Sequence, residues 1–326
     1  MAKNEDEAVN EQGLLNALKS DKVDTLREQV EKGVDVDQQF FWILGDLPDM
    51  LTNSPPLISV AAFYSAVQCF EYLLSQHADI NKLDEREIPL AHFAVAGGCE
   101  KIIQSLDSLG VDFTKTLQIA AQYGHYEIFI WLLQNKHLDL NERDEYNRTF
   151  LHIAAAGGNT ELVQFLVNEG LDVNEIDGTG WTPLHFACEQ NQIDVVRLLI
   201  NNPRVNVNCK DFIFESSKLM WHANGNCMPL HHAVYNQNVE ITRLLLGNPK
   251  IDVNCQDGEG KTPLHIAAML GNEEICRLLL DTRRCNITIV ANDGKTASQY
   301  AKNAELATLI NNRGSTGIWG FIKRLF

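Results

Sequence analysis

Four histidines, His152, His185, His231 and His265, stand at long intervals: 33 residues for the first step, 46 for the second, which holds twelve extra residues, and 34 for the last. An imidazole can bind a metal or move a proton. Zinc, however, takes ligands that converge from short spacings. Equal long spacing puts one histidine at the same place in successive structural units, where it is expected to satisfy backbone groups between neighbours. A denser group, Cys227, His222, His231 and His232, could hold zinc, but its spacing fits no common site. No metal and no cofactor is therefore expected. The chain carries no P-loop, no G-x-G-x-x-G after a strand, no H-E-x-x-H and no G-x-S-x-G. Its acidic residues follow the repeat without an isolated facing pair. The sequence thus reads as a non-enzyme.

The elements that position these histidines repeat as well. TPLHIAA at 262–268 recurs as TFLHIAA at 149–155, TPLHFAC at 182–188 and MPLHHAV at 228–234. Weaker copies are PPLISVA at 55–61, IPLAHFA at 88–94, TLQIAA at 116–121 and TASQYA at 296–301. Thr182 can cap a helix that opens on Pro183, where the missing N–H costs nothing. Leu184 and Ala187 then face the next unit, and alanines let short inner helices approach closely. A second helix carries apolar residues at helical spacing, as in Val195, Val196, Leu198 and Leu199. Asp172, Val173 and Asn174 lead outward into the next turn. One such unit cannot bury its apolar face alone, so stacking makes the core.

A T-P-L-H-x-A core at this period resembles the ankyrin-repeat family, with units over residues 13–313. The resemblance implies an all-α solenoid of about nine helix pairs with hairpin fingers. It also implies a protein–protein interaction scaffold or adaptor, binding a partner protein through its concave face and fingers. An inhibitor or host-directed effector that occludes one partner enzyme is the alternative. A cryptic metal-binding or enzymatic protein using residues 211–232 is a second.

Departures from the period mark the unusual surface. In regular units nine residues separate the closing Asn from the Pro position of the next motif, as from Asn174 to Pro183. From Asp37 to Pro56 the count is 19, and from Asn208 to Pro229 it is 21. These are finger insertions, at about 38–53 and 211–226. Around Thr114 and Thr116 seven residues are missing, so that unit should lack a finger. Both insertions are apolar: the first contains Trp42, the second Phe214, Met220 and Trp221. They either fold back over neighbouring helices or rim a partner site.

In this family the positions after the motif alanines and the finger tips line the binding face. Here that gives Phe63, Tyr123, Tyr235, Met269 and Leu270 on inner helices, with Tyr146 and Trp181 on fingers and Glu189 beside them. Aromatic residues of this kind anchor interfaces. With Trp42, Phe214 and Trp221 they form the expected partner-binding set. Trp181 is expected outside the helix core. Asp144, Glu145, Asp177 and Glu189 should surround the site with negative charge and favour a partner with a basic patch.

Composition bounds the rest. The formal net charge is −16, which argues against nucleic acid as the partner. Beyond Asp281 the balance reverses, with seven basic residues against two acidic. The eight cysteines include no CxxC pair and suit a reducing, cytoplasmic compartment; a nuclear location or delivery into a host cell is compatible with the same features. Residues 1–12 are polar and acidic, expected to be disordered and unlike a secretory signal. No apolar run is long enough to span a bilayer. The tail 314–326 includes GIWGFIKRLF, which resembles a short interfacial helix; it docks on the last repeat, binds a partner or makes weak membrane contact. A monomer is expected.

Overall fold

A computed structural model describes residues 5–40, 48–136, 138–212 and 225–314, with side chains from residue 11 to 312. The chain divides into two compact units, Met1–Leu140 and Asn141–Phe326. Among the described residues every element is helical, and extended pairing is limited to two isolated bridges, Gln39 with Pro56 and Val290 with Thr296. No helix among them is long and apolar enough to cross a membrane.

The first unit holds α1 (Glu5–Lys19), α2 (Val23–Glu31), α3 (Leu57–Phe63), α4 (Val67–Ser75), α5 (Leu90–Gly97), α6 (Glu100–Ser108), α7 (Thr116–Tyr123) and α8 (Tyr126–Asn135). Odd-numbered helices pack on odd-numbered ones, α3 on α5 and α5 on α7, while α2, α4 and α6 form the second layer. Close approach is visible at Gly97, where a Cβ would fall 2.3 Å from the Ala62 carbonyl oxygen. Helix α1 begins at Glu5, so it takes in most of the segment expected to be disordered. No Gly or Pro interrupts residues 5–12. The first insertion turns back on the unit where it is described: Phe40, Met50 and Leu51 are buried, and Phe40 N–H donates to the Pro55 carbonyl at 3.1 Å. The chain passes from α6 to α7 without a finger, through Phe113, which is buried against Trp131.

The second unit holds α9 (Phe150–Gly157), α10 (Thr160–Asn168), α11 (Pro183–Glu189), α12 (Ile193–Asn201), α13 (Pro229–Tyr235), α14 (Val239–Gly247), α15 (Pro263–Leu270), α16 (Glu273–Asp281), α17 (Ala297–Tyr300) and α18 (Ala304–Gly314). Inner helices α9, α11, α13, α15 and α17 stack in order, as do outer helices α10 to α18. The alanines that make this possible, Ala154, Ala187, Ala233 and Ala267, are fully buried, as is Leu184 to within 1%. Outer helices start on asparagine caps: Asn159, Asn238 and Asn272 accept the N–H three residues ahead at 2.8 to 3.0 Å.

The motif histidines join each inner helix to the next finger. Nδ1 of His185 accepts the Thr182 N–H at 3.0 Å. That nitrogen is therefore unprotonated, and Nε2–H donates to the Cys227 carbonyl at 3.3 Å. His152, His231 and His265 repeat the arrangement, with Nε2 against the carbonyls of Glu175 and Trp181, of Cys255 and of Lys295. Both nitrogens of each ring are occupied by backbone, as the regular spacing suggested.

Candidate functional site

The surface that could recognise a partner is built on the fingers, and one carboxylate closes most of them; in the last finger Ala291 stands at that place. Asp177 Oδ1 accepts from the Thr179 N–H, the Thr179 hydroxyl and the Trp181 N–H at 2.7 to 2.9 Å. Asp84, Asp144 and Asp257 clamp the residues two and four ahead in the same way. The turn demands a left-handed residue just before the closing one, and Asn147, Gly180 and Gly260 supply it with φ of 63°, 81° and 73°. Adjacent fingers are laced by backbone. Gly178 donates to the Tyr146 carbonyl, Phe212 to Thr179, Gly258 to Gly225 and Asn292 to Glu259.

The second insertion leaves this clamp intact. Asp211 Oδ1 accepts the Cys227 N–H at 2.6 Å, sixteen positions ahead instead of four. Asn226 precedes the closing residue with φ 57°. The twelve extra residues therefore fall inside a finger whose base is closed like the others. Residues 213–224 of that insertion, with Phe214, Trp221 and His222, lie outside the described residues, as do Trp42 and the tail 315–326.

Two apolar residues are widely exposed on this edge, Tyr146 at 60% and Phe212 at 56%. Finger residues Ile176 and Val290 are exposed too. Phe212 lies over the neighbouring finger, so that a Cβ on Gly180 would meet its ring at 2.8 Å. Tyr146 carries the Arg148 guanidinium over its ring at 5.2 Å. Of the residues expected at the site, Tyr146 is thus exposed, while Phe63, Tyr123, Tyr235, Met269 and Leu270 are half-buried. Phe63 and Tyr123 meet edge to face, 6.1 Å between ring centres. The Tyr235 hydroxyl donates to Asp257 Oδ2 at 3.3 Å. Ile176 and Val290 lie outside the expected set; their signal in the sequence is an apolar residue directly before the clamp position, where Gln256 and Lys210 stand in other fingers.

Trp181 is not at the surface. It is 5% exposed, packed against Phe186 at 5.0 Å and His232 at 4.6 Å. The adjacent finger, whose Phe212 backs onto Thr179 and Gly180, continues the stack over it, so a tip by sequence is interior by packing. Glu189 also belongs inward. Its Oε2 accepts from His232 Nδ1 at 3.0 Å and from Asn236 at 3.2 Å. The expected acidic surround is mostly spent in this way. Asp177 is engaged by its own finger and Asp144 by Arg148 and backbone, leaving Glu145 exposed.

His232 is the second notable feature. It is fully buried on α13, with Nδ1 on Glu189 and Nε2 3.5 Å from Asp211 Oδ2. Where it stands, the other motifs carry Ile153, Phe186 and Ile266. Its neighbour His231 is pulled down to about 3, by burial first and then by His232. His232 goes the other way. Burial opposes its charge, but hydrogen bonds to Asp211 and Glu189 outweigh burial and raise its pKa. Burial and the Asp211 carboxylate push the Cys227 thiol up.

Comparison with known proteins agrees with this architecture. A family model described as ankyrin repeats (3 copies) matches residues 117–211 and 218–314, together more than half of the chain. A second, described as ankyrin repeats (many copies), matches residues 187–246. No curated protein matches the chain.

Proposed function

The chain belongs to the ankyrin-repeat family, and on that premise we propose that it holds a partner protein on the finger edge of its second unit, as a scaffold or adaptor without catalytic activity of its own. The observation that carries this reading is the exposure of Tyr146 and Phe212 on fingers that are hydrogen-bonded to each other through residues 178–180. Ankyrin repeats are generally protein-interaction modules. Exposed aromatic groups on a rigid, backbone-laced edge bind at low entropic cost. The half-buried Tyr235, Met269 and Leu270 on α13 and α15 are the inner-helix part of the proposed surface, and the net charge of −16 favours a partner with a basic patch.

The test is capture of partners from lysate, then affinity measurement with a Tyr146→Ala/Phe212→Ala double variant. Loss of two aromatic anchors, at about 2 kcal/mol each, should weaken binding by well over tenfold. Thermal stability should stay near wild type, because both side chains are mostly exposed. Equal affinity would move the site to the inner-helix residues Tyr235, Met269 and Leu270. A single tight partner enzyme, inhibited on binding, would turn the scaffold into an inhibitor.

A further inference from the structure

Asp211, Cys227 and His232 are buried, and each offers one ligand atom within 4.8 Å of the others. The repeat explains Asp211, which closes its finger as Asp177 and Asp257 close theirs. It does not explain the other two. Cys227 stands where regular fingers carry Arg148, Trp181 and Lys261, and His232 stands where regular helices carry apolar residues. The two departures from the pattern come from different elements and converge on the same carboxylate. They do so in the finger that carries the longer insertion.

The orientation of the imidazole is also fixed. Glu189 Oε2 holds Nδ1 at 3.0 Å, which makes Nδ1 the donor and turns Nε2 toward Asp211. A carboxylate behind a histidine in this manner sets the tautomer and raises the basicity of the ligating nitrogen at metal sites. Asp211 is fixed as well, because its Oδ1 accepts the Cys227 N–H while Oδ2 points at His232.

We propose that Asp211, Cys227 and His232 bind a single zinc-type divalent ion, with Glu189 as the positioning carboxylate behind His232. A thiolate, an imidazole and a carboxylate together suit zinc, a borderline-soft ion that accepts S, N and O donors. Tetrahedral bonds of about 2.0–2.3 Å put ligand atoms roughly 3.5 Å apart. The three donors must therefore close by a small side-chain rotation, and water takes the fourth position. Binding as a thiolate removes the Cys227 thiol proton, which goes to solvent, so affinity rises with pH. The motif histidines take no part, since backbone groups occupy both nitrogens of each.

The experiment uses the full chain, stripped with a chelator and titrated with zinc chloride against a chromophoric competitor, and separately with cobalt chloride. The expected result is one equivalent of zinc, and a cobalt complex with a thiolate charge-transfer band in the near ultraviolet. Cys227→Ser should abolish that band. His232→Phe, which installs the residue found at Phe186, should weaken zinc at least 100-fold. Glu189→Gln, which touches no metal, should weaken it about 10–100-fold while keeping the cobalt band. Cys209→Ser, on the same loop outside the cluster, should change nothing. Helical circular dichroism of each variant separates lost binding from lost folding, and Glu189→Gln keeps the test alive if His232→Phe unfolds. Absence of an equimolar zinc or cobalt site in the stripped wild type overturns the proposal. So does binding that survives both Cys227→Ser and His232→Phe.

Discussion

The fingers at 177–181 and 211–227 are closed by the same clamp, an aspartate Oδ1 on the N–H of the closing residue, yet one spans four positions and the other sixteen. The clamp does not measure loop length. It needs a carboxylate, a left-handed residue and a backbone N–H, and Gly180 and Asn226 provide the second with equal effect. What differs is the side chain that each clamp seats. The short finger seats Trp181 between Phe186 and the His232 ring of α13, which is packing. The long finger seats Cys227 beside Asp211 and His232, which is chemistry. One scaffold position thus serves the core in one repeat and a polar cluster in the next.

The largest expected effect separates these two roles. Trp181→Ala removes a buried indole and should cost about 3–5 kcal/mol, read as a lower urea midpoint. Cys227→Ala, measured in chelator, removes one sulfur and should cost on the order of 1 kcal/mol. Equal losses would mean that the two closing residues play one structural role and that the contrast between the fingers is superficial.

Much of the fold was legible because repetition supplies its own control. The histidine period predicted helix pairs, and the structure places His152, His185, His231 and His265 against backbone as that period implied. The missing finger before Thr116 was visible as missing residues. Trp181, expected outside the helix core, is buried for a physical reason. Finger residues are tips along the sequence, but whether the next finger covers them depends on stacking that spacing does not encode. Glu189 and Asp177 differ from expectation likewise: a carboxylate on a family surface position reads as exposed charge until its hydrogen-bond partners are known. His232 had a signal, a histidine where the motif elsewhere has Ile or Phe. Asp211 and Glu189 lie 21 and 43 positions away, so no local pattern could connect them to it.

The regular arrangement can be tested at His152 and His265, whose rings do not meet His232. Burial lowers the pKa of both. Each is therefore neutral in the folded state, while the unfolded chain takes up a proton near pH 6.5. Their contribution is complete above about pH 6.5 and is lost as pH falls toward the folded values. The slope is at most about 1.4 kcal/mol per pH unit for each. Urea midpoints should decline from pH 7 to 5, and less steeply in His152→Gln and His265→Gln variants. Profiles of equal slope in the wild type and in both variants would show that neither ring is held neutral by the fold.

The smallest expected effect bears on the insertion itself. Removing residues 213–224 leaves Asp211, Phe212, Gly225, Asn226 and Cys227, a finger of regular length with Asn226 in the left-handed place that Asn147 takes in its own finger. Shortening the span from sixteen to four positions is two halvings, for which loop-closure entropy alone favours the short form by about 1.2 kcal/mol. The clamp, the Phe212 to Thr179 hydrogen bond and the Gly258 to Gly225 hydrogen bond all lie outside the deletion. Stability should therefore hold or rise slightly. A fall of 2 kcal/mol or more would show instead that the apolar insertion covers core surface, the burial already seen for Phe40, Met50 and Leu51 in the first insertion. Unchanged stability with lost partner affinity would assign Phe214 and Trp221 to recognition. Because the ligands Asp211, Cys227 and His232 all remain, zinc titration of the shortened chain also tells whether the cluster is complete without the insertion or depends on it.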